Sequence, residues 1–595
     1  MRKFLTVIGL LLVFTSVWGQ RGDWSNDEEG FVFMGSGTPD DPYLISSVTA
    51  LIYLADQANM WEGKTFEGVH FLLTNDLDLG LHYWIPIGSE EEQPFQGIFN
   101  GNNKVIHNLY IGSTEVENVF SASGLFGYLG KGARIENLTI EDGLVVGGNR
   151  ETVSRTGAMA GYLLCSVTNF SDSIIIRNCH NKKVNVIGGN TEVSTTGGLI
   201  GEGYAFSEGG GTAAILLDNC SNTGAVKSIA ANFPYTGGLV GKGRGHGYCD
   251  GLASATGSFL LRDCRNAGVV TGGDTKGTEA ISSTGGILGF GFSSGDGYGN
   301  SDGSGVLTIE YCMNLGTVSG GDAGTPQAFS YTGGILGYAD GYGYGEKSDN
   351  PVLGKSNGIG DFSVLSSANR GAIKGGDASD KTAVSSTGGI LGFASASAST
   401  TSGGTSEGNG YGAFNMHNCY SYADISARKG VIGGLVGCLA TIGVGANHQI
   451  SAILTNSYAA GTINKGDTIF SVITGGIVGR MQKSKEANRS PQVANCLTAL
   501  SYLNGGLNRT YRVVAQLQGI SQPLSRILSR NYGFINEGEY VYEEGIQNGI
   551  DWGFSMLESP VANWDFKNKV WLVDEGQTMM PLLNNLSHQT SVPIP

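Results

Sequence analysis

The chain has 595 residues, of which 97 are Gly and 15% are charged, a composition that disfavours helix and suits tightly turned β-structure. Its formal net charge is −16 with 36 Lys and Arg, which excludes the electrostatic footprint of a nucleic-acid binder and sets it against anionic membrane surfaces. The length exceeds what one compact core supports, but an array of stacked units escapes that limit because each unit touches only its neighbours.

Residues 1–19 read as a cleavable signal peptide: Met1-Arg2-Lys3, an apolar run from Phe4 to Val13, then Val17-Trp18-Gly19 with small residues where a signal peptidase inspects the chain, so cleavage is expected before Gln20. The first Cys is Cys165, which leaves no lipid-anchor cysteine at that site. No later run reaches the roughly 18 apolar residues of a membrane span, so a secreted or cell-surface protein is expected, not a transmembrane one. Residues 20–111 are predicted to form an N-terminal cap. It contains Gly37-Thr-Pro-Asp-Asp-Pro-Tyr43, a helix near Ser47 to Asn59 with Val48, Leu51, Ile52 and Ala55 on one face, Phe71-Leu-Leu-Thr-Asn-Asp-Leu-Asp-Leu79, Trp84-Ile-Pro-Ile-Gly88 and Phe95-Gln-Gly-Ile-Phe-Asn-Gly101.

Residues 112–505 repeat one phrase: Thr196-Gly-Gly-Leu-Ile-Gly, and its copies at Thr236, Thr284, Thr332, Thr387, Ile432 and Thr474, with looser copies at Ser123 and Thr156. A second motif follows, ending in Cys179, Cys220, Cys264, Cys312, Cys419 or Cys496, with Leu138, Ser367 and Ser457 in the same place of other copies. Two residues later several copies carry Asn, at 181, 222, 266, 314 and 369. Three short β-segments between turn residues in each unit predict one coil of a parallel β-helix, about nine coils in all. Equivalent positions then lie about 4.8 Å apart on successive coils, so six of the nine Cys form an inward ladder of unpaired thiols whose parallel vectors suit a disulfide poorly.

The variable length falls between the Gly-Gly strand and the Cys strand, which predicts corner loops stacked along one side of the solenoid. These carry the candidate binding residues Tyr204, Phe206, His246, Tyr248, Phe292, Tyr298, Tyr338, Tyr342, Tyr344 and Tyr411, spaced by Gly and Ser. Aromatic rings on loops of a rigid scaffold suit a glycan or a protein, although such rings also fold back to cover a coil. Asp274, Asp322 and Asp377 recur in Gly-Gly-Asp turns near Lys276 and Lys374. Asp in such turns caps its own backbone, and this ladder is also the candidate Ca2+ ligand set and the one candidate for acid/base work. No cofactor is otherwise expected, and the Gly-rich stretches lack the Gly-Lys-Ser/Thr of a phosphate loop.

Residues 506–595 lose the repeat and gain aromatic and acidic residues such as Trp564, Trp571 and Glu543, and are predicted to close the solenoid as a C-terminal cap. Taken in order, the Pro-Tyr segment, helix, Leu-Asp-Leu, Trp-x-Pro-Ile-Gly and Gly-Gly-Leu-Val-Gly repeats resemble bacterial GLUG-motif proteins. The resemblance implies a right-handed parallel β-helix on an exported or surface protein, often adhesin-like, with a glycan or a cell-surface or extracellular protein as partner. Some relatives carry a metallopeptidase domain, but no His here lies in His-Glu-x-x-His, so that activity does not transfer. The expected function is non-catalytic, and the alternative is a secreted polysaccharide lyase or glycoside hydrolase on the same scaffold.

Overall fold

A computed structural model describes residues 31–60, 63–80, 82–113, 118–346, 356–401, 408–465, 472–504, 510–511, 513–529, 531–534 and five short strand segments beyond residue 549. The signal peptide lies outside these residues, as does most of the C-terminal cap. The fold is a parallel β-helix. Its strands form one sheet of 28 strands and two of ten, and the strands of successive coils pair in parallel, residue to equivalent residue.

One coil shows the path. Phe233–Gly237 lies in the first ten-stranded sheet, which holds the repeated Thr and is called here the Thr sheet. The Gly-Gly turn leads to Val240–Gly251 in the second, called the aromatic sheet. Ser254–Arg262 then enters the large sheet, followed by Arg265–Asn266 and Val270–Thr271. Leu239, Val240, Phe259, Leu261 and Cys264 of this coil are buried at the common core. Both ten-stranded sheets continue past the nine recognisable copies of the phrase, through Thr510–Tyr511 and Val514–Gln518.

The bend before each Cys has a local cause. The preceding residue sits in the left-handed region, at φ 52° for Asn178, 52° for Asn219, 53° for Asp263 and 53° for Asn418. Asn and Asp tolerate that conformation better than other side chains. The Asn side chains then chain together, Asn219 Nδ2 donating to Asn178 Oδ1 at 2.8 Å and Asn178 Nδ2 to Asn137 Oδ1 at 2.9 Å. A second Asn ladder is fully buried: Asn222 donates to Asn266, Asn266 to Asn314 and Asn314 to Asn369, at 2.9, 2.9 and 2.8 Å. Each of these also closes its own turn, as Asn266 Oδ1 does by accepting from Gly268 N at 3.1 Å.

All nine Cys are free and buried. Each thiol of the ladder donates to the carbonyl two residues back, at 3.3 Å for Cys179 and 3.2 Å for Cys264. At the N-terminal end the helix Val48–Asn59 covers the first rungs, started by Ser47, whose hydroxyl accepts from Ala50 N at 3.2 Å. Trp84 Nε1 donates to Leu125 O at 3.0 Å and ties the cap to the first Gly-motif turn.

Over the described residues the expected corner loops are strands, and 347–355 and 402–407 lie outside those residues. Ile200–Glu208, Val240–Gly251, Leu288–Gly299 and Leu336–Gly345 belong to the aromatic sheet, and Ser356–Leu365 and Gly408–His417 to the large sheet. The correction follows from the alternation of aromatic or charged residues with Gly, Ala and Ser, which is a period of two. The small residues face inward, where the two sheets meet without room for more: a Cβ on Gly245 would strike the carbonyl oxygens of Val306 and Gly257, and one on Gly360 the backbone of Tyr342. The solenoid thus carries a thin two-layered fin, and the large residues stand on its outer surfaces.

Candidate functional site

The fin sorts the ten candidate binding residues. Tyr204, Phe206, His246, Tyr248, Phe292, Tyr298, Tyr338, Tyr342 and Tyr344 lie on strands of the aromatic sheet. Tyr411 does not. It lies in the large sheet, in register with Ile359 and Gln449, on the opposite surface of the fin.

Nearest the coil the rings are packed. Tyr338 stacks between Phe290 and Phe393, with centroids 4.6 and 5.1 Å away and planes 2° and 7° apart, and Tyr331 of the Thr sheet closes over it at 5.6 Å. Burial, and then the charge of Asp340, push its phenol well above the ordinary range. In the same corner three coils earlier the buried Glu202 holds Lys242 at 2.8 Å and Arg155 at 3.0 Å. Burial alone would raise that carboxyl, but the two cations outweigh it and hold it below its ordinary value.

Further out, three successive coils build a hydrogen-bonded chain. Tyr204 Oη lies 2.8 Å from His246 Nδ1, and His246 Nε2 lies 2.8 Å from Asp296 Oδ2. With Asp296 accepting from Nε2–H, Nδ1 is the acceptor for the Tyr204 hydroxyl. Arg244 places Nη2 3.2 Å from the same Nδ1, and its guanidinium lies over the rings of Tyr204 at 4.8 Å and Phe292 at 5.3 Å. Phe206 covers His246 at 5.1 Å. Burial raises the Tyr204 phenol, and Arg244 pulls the other way.

One coil beyond, Asp340 is buried on this face and accepts from Ser397 Oγ at 2.7 Å and Ser395 Oγ at 2.8 Å. Burial pushes its carboxyl up to about 6, against the lowering effect of both hydroxyls. At the outer edge Tyr248, Tyr298 and Tyr344 form a strip of rings, with centroids 5.2 and 5.6 Å apart. Sequence reasoning missed Asp296 and Asp340 because a single acid between small residues carries no motif. The signal was their place in the two-residue alternation.

The Asp ladder bonds from coil to coil, not to the backbone of its own turn as expected. Asp274 Oδ1 accepts from Asp322 N at 2.7 Å, and Asp322 Oδ1 from Asp377 N at 2.8 Å, so each carboxylate ties down the next coil. Arg428 Nη1 stands 3.5 Å from Asp377 Oδ2. The three Asp line an open groove of about 620 Å³ together with Lys227, Lys374 and Arg428. Burial raises the Asp322 carboxyl, and its two Asp neighbours add to that. Among the described residues no three His, Cys, Asp or Glu side chains converge to hold a metal ion.

No helix among the described residues is long and apolar enough to cross a membrane. No family model matches the chain. It is similar to halomucin of Haloquadratum walsbyi, 31% identical over 149 residues, which is 22% of this chain and 2% of that much longer protein. It is also similar to a crystal structure from Bacteroides ovatus described as a candidate immunoglobulin A1 protease, with a TM-score of 0.36 and 16% identity over 65% of this chain and 85% of the other.

Proposed function

We propose that the chain is an exported, non-catalytic bacterial β-helix protein of the GLUG-motif kind, adhesin-like, that presents the outer face of its aromatic sheet to a glycan or a cell-surface protein. The observation that carries this reading is the strip of Tyr248, Tyr298 and Tyr344 on paired strands at the outer edge of the fin. Rings held by a sheet present apolar area with little entropy left to lose on binding. The partial similarity to halomucin supports an extracellular setting. The test is a glycan array and a cell-binding assay with the intact chain and with Tyr298→Ala combined with Tyr344→Ala. Retention should fall about tenfold in the variant at unchanged circular dichroism. Unchanged retention would remove the face from consideration.

One observation favours a second reading, a secreted polysaccharide-degrading enzyme. The Tyr204–His246–Asp296 chain has the arrangement of a hydroxyl, a base and an orienting carboxylate, with the Arg244 guanidinium over the Tyr204 ring. Release of unsaturated uronides or reducing ends from acidic polysaccharides, abolished by Tyr204→Phe, would establish it. Absence of turnover on such a panel would leave the chain as a positioning network.

A further inference from the structure

The outer edge of the aromatic sheet is a checkerboard of rings and carboxylates. The strand register sets Tyr248 opposite Asp296 and Asp296 opposite Tyr344, and it sets Asp250 opposite Tyr298. Because Gly297 pairs with Gly345, Glu346 follows opposite Tyr298. Within each strand ring and acid are two residues apart, so both stand on the same side. Every acid therefore has a tyrosine beside it along the strand and across the coil, with steps of about 6.8 Å and about 4.8 Å. Glu208, opposite Tyr248 one coil earlier, adds a fourth carboxylate at the corner.

Three of these four carboxylates, Glu208, Asp250 and Glu346, lack an ion-pair partner among the described residues, while Asp296 holds His246. Glu208 and Asp250 are exposed, and Tyr248, Tyr298, Tyr344 and Glu346 are half-buried. Among the described residues the cations of this face stand further in. Lys242 is paired with Glu202, and Arg244 is held between Tyr204 and Phe292. After burial, the charges of Asp250, Glu208, Asp296 and Glu346 all act to keep the Tyr248 phenol protonated. A field of that sign over π faces favours a cation and repels an acidic polymer. The strands that carry the rings are paired on both sides, so their edges do not take up an extended peptide, whereas a row of rings inclined at 46° and 54° to one another offers separate faces to successive sugar rings.

We propose that this checkerboard binds a polysaccharide of protonated amino sugars, sugar faces lying on Tyr248, Tyr298 and Tyr344 and ammonium groups lying beside Asp250, Asp296, Glu346 and Glu208. The proposal rests on the reading that this face binds a glycan, and it names the class.

The experiment compares chitosan oligomers, whose amines are free, with chitin oligomers of the same length, whose amines are acetylated, by affinity electrophoresis or surface resonance on the intact chain. Poly-L-lysine and alginate are the other probes. Chitosan should bind at least about tenfold more tightly than chitin oligomers, weaken with added salt, and lose about tenfold in the variant Glu208→Gln combined with Asp250→Asn, both at exposed positions. Alginate should not bind. Equal affinity for chitin and chitosan oligomers, or an unaffected charge variant, would overturn the amino-sugar assignment and leave a neutral-glycan face. Retention of poly-L-lysine as tight as chitosan would also overturn it and make the partner a basic peptide. Binding of neither oligomer would overturn it as well. Failure of the broader reading shows separately, as array or cell binding that Tyr298→Ala with Tyr344→Ala leaves intact.

Discussion

Asn219 illustrates how much of this fold hangs on single side chains in an unusual backbone region. Its φ of 52° and its bond to Asn178 are both met by Asn, whereas Ala meets neither. Asn219→Ala should destabilise the protein by about 1–2 kcal/mol, and Asn219→Gly by less, measured as shifts in melting temperature. Equal effects of the two would show that backbone strain is not the cause. Asp340 makes a claim about pH. Its carboxyl is raised to about 6 in the folded chain, so the stability it contributes is full below its ordinary value of 3.8 and is lost as pH rises through about 6. The Asn variant lacks that titration and can still accept from Ser395 and Ser397. Asp340→Asn should therefore match the parent chain below about pH 4 and exceed it by roughly 2–3 kcal/mol above pH 7. A difference that does not change with pH would contradict the buried carboxyl.

Ladders and fin are properties of elements. The Cys ladder presents thiols to carbonyl oxygens within the core, and burial raises Cys179, Cys220 and Cys264 well above the usual thiol range. Labelling the denatured, non-reduced chain should count all nine thiols, and labelling the native chain should find few. A count near one would mean disulfides and a different core. The fin depends on two sheets in backbone contact. A Cβ on Gly343 would strike the backbone of Tyr411 and the carbonyl oxygen of Gly358, so Gly343→Val should cost several kcal/mol or splay the fin, seen as a lower melting temperature and faster amide exchange over 336–345 and 356–365. Neutral behaviour would mean the layers are not in contact. The same Gly-Ser-Tyr alternation that builds the fin reads superficially as loop sequence, which is why strands were expected to be corners. In a core strand the alternating inward residue is Leu or Ile, and here it is Gly because the partner is bare backbone rather than side chains.

At the scale of the whole molecule the repeat was the legible part. The Thr-Gly-Gly phrase, the Cys positions and the cap helix beginning at Ser47 all stand where their spacing placed them, since coil stacking turns sequence period directly into register. The position of Tyr411 was not legible, because which surface of the fin a residue occupies depends on whether its strand precedes or follows the turn at the fin's edge. Nor was the His246–Asp296 pair, whose members are 50 residues apart and meet only through the stacking of neighbouring coils. These placements give the two surfaces of the fin different roles, and chemical footprinting of tyrosine tests that division most directly. With the chain bound to the array glycan that retains it best, nitration or iodination should be suppressed at Tyr248, Tyr298 and Tyr344 and unchanged at Tyr411 on the opposite surface. Suppression at Tyr411 with free reaction at the other three would contradict the account.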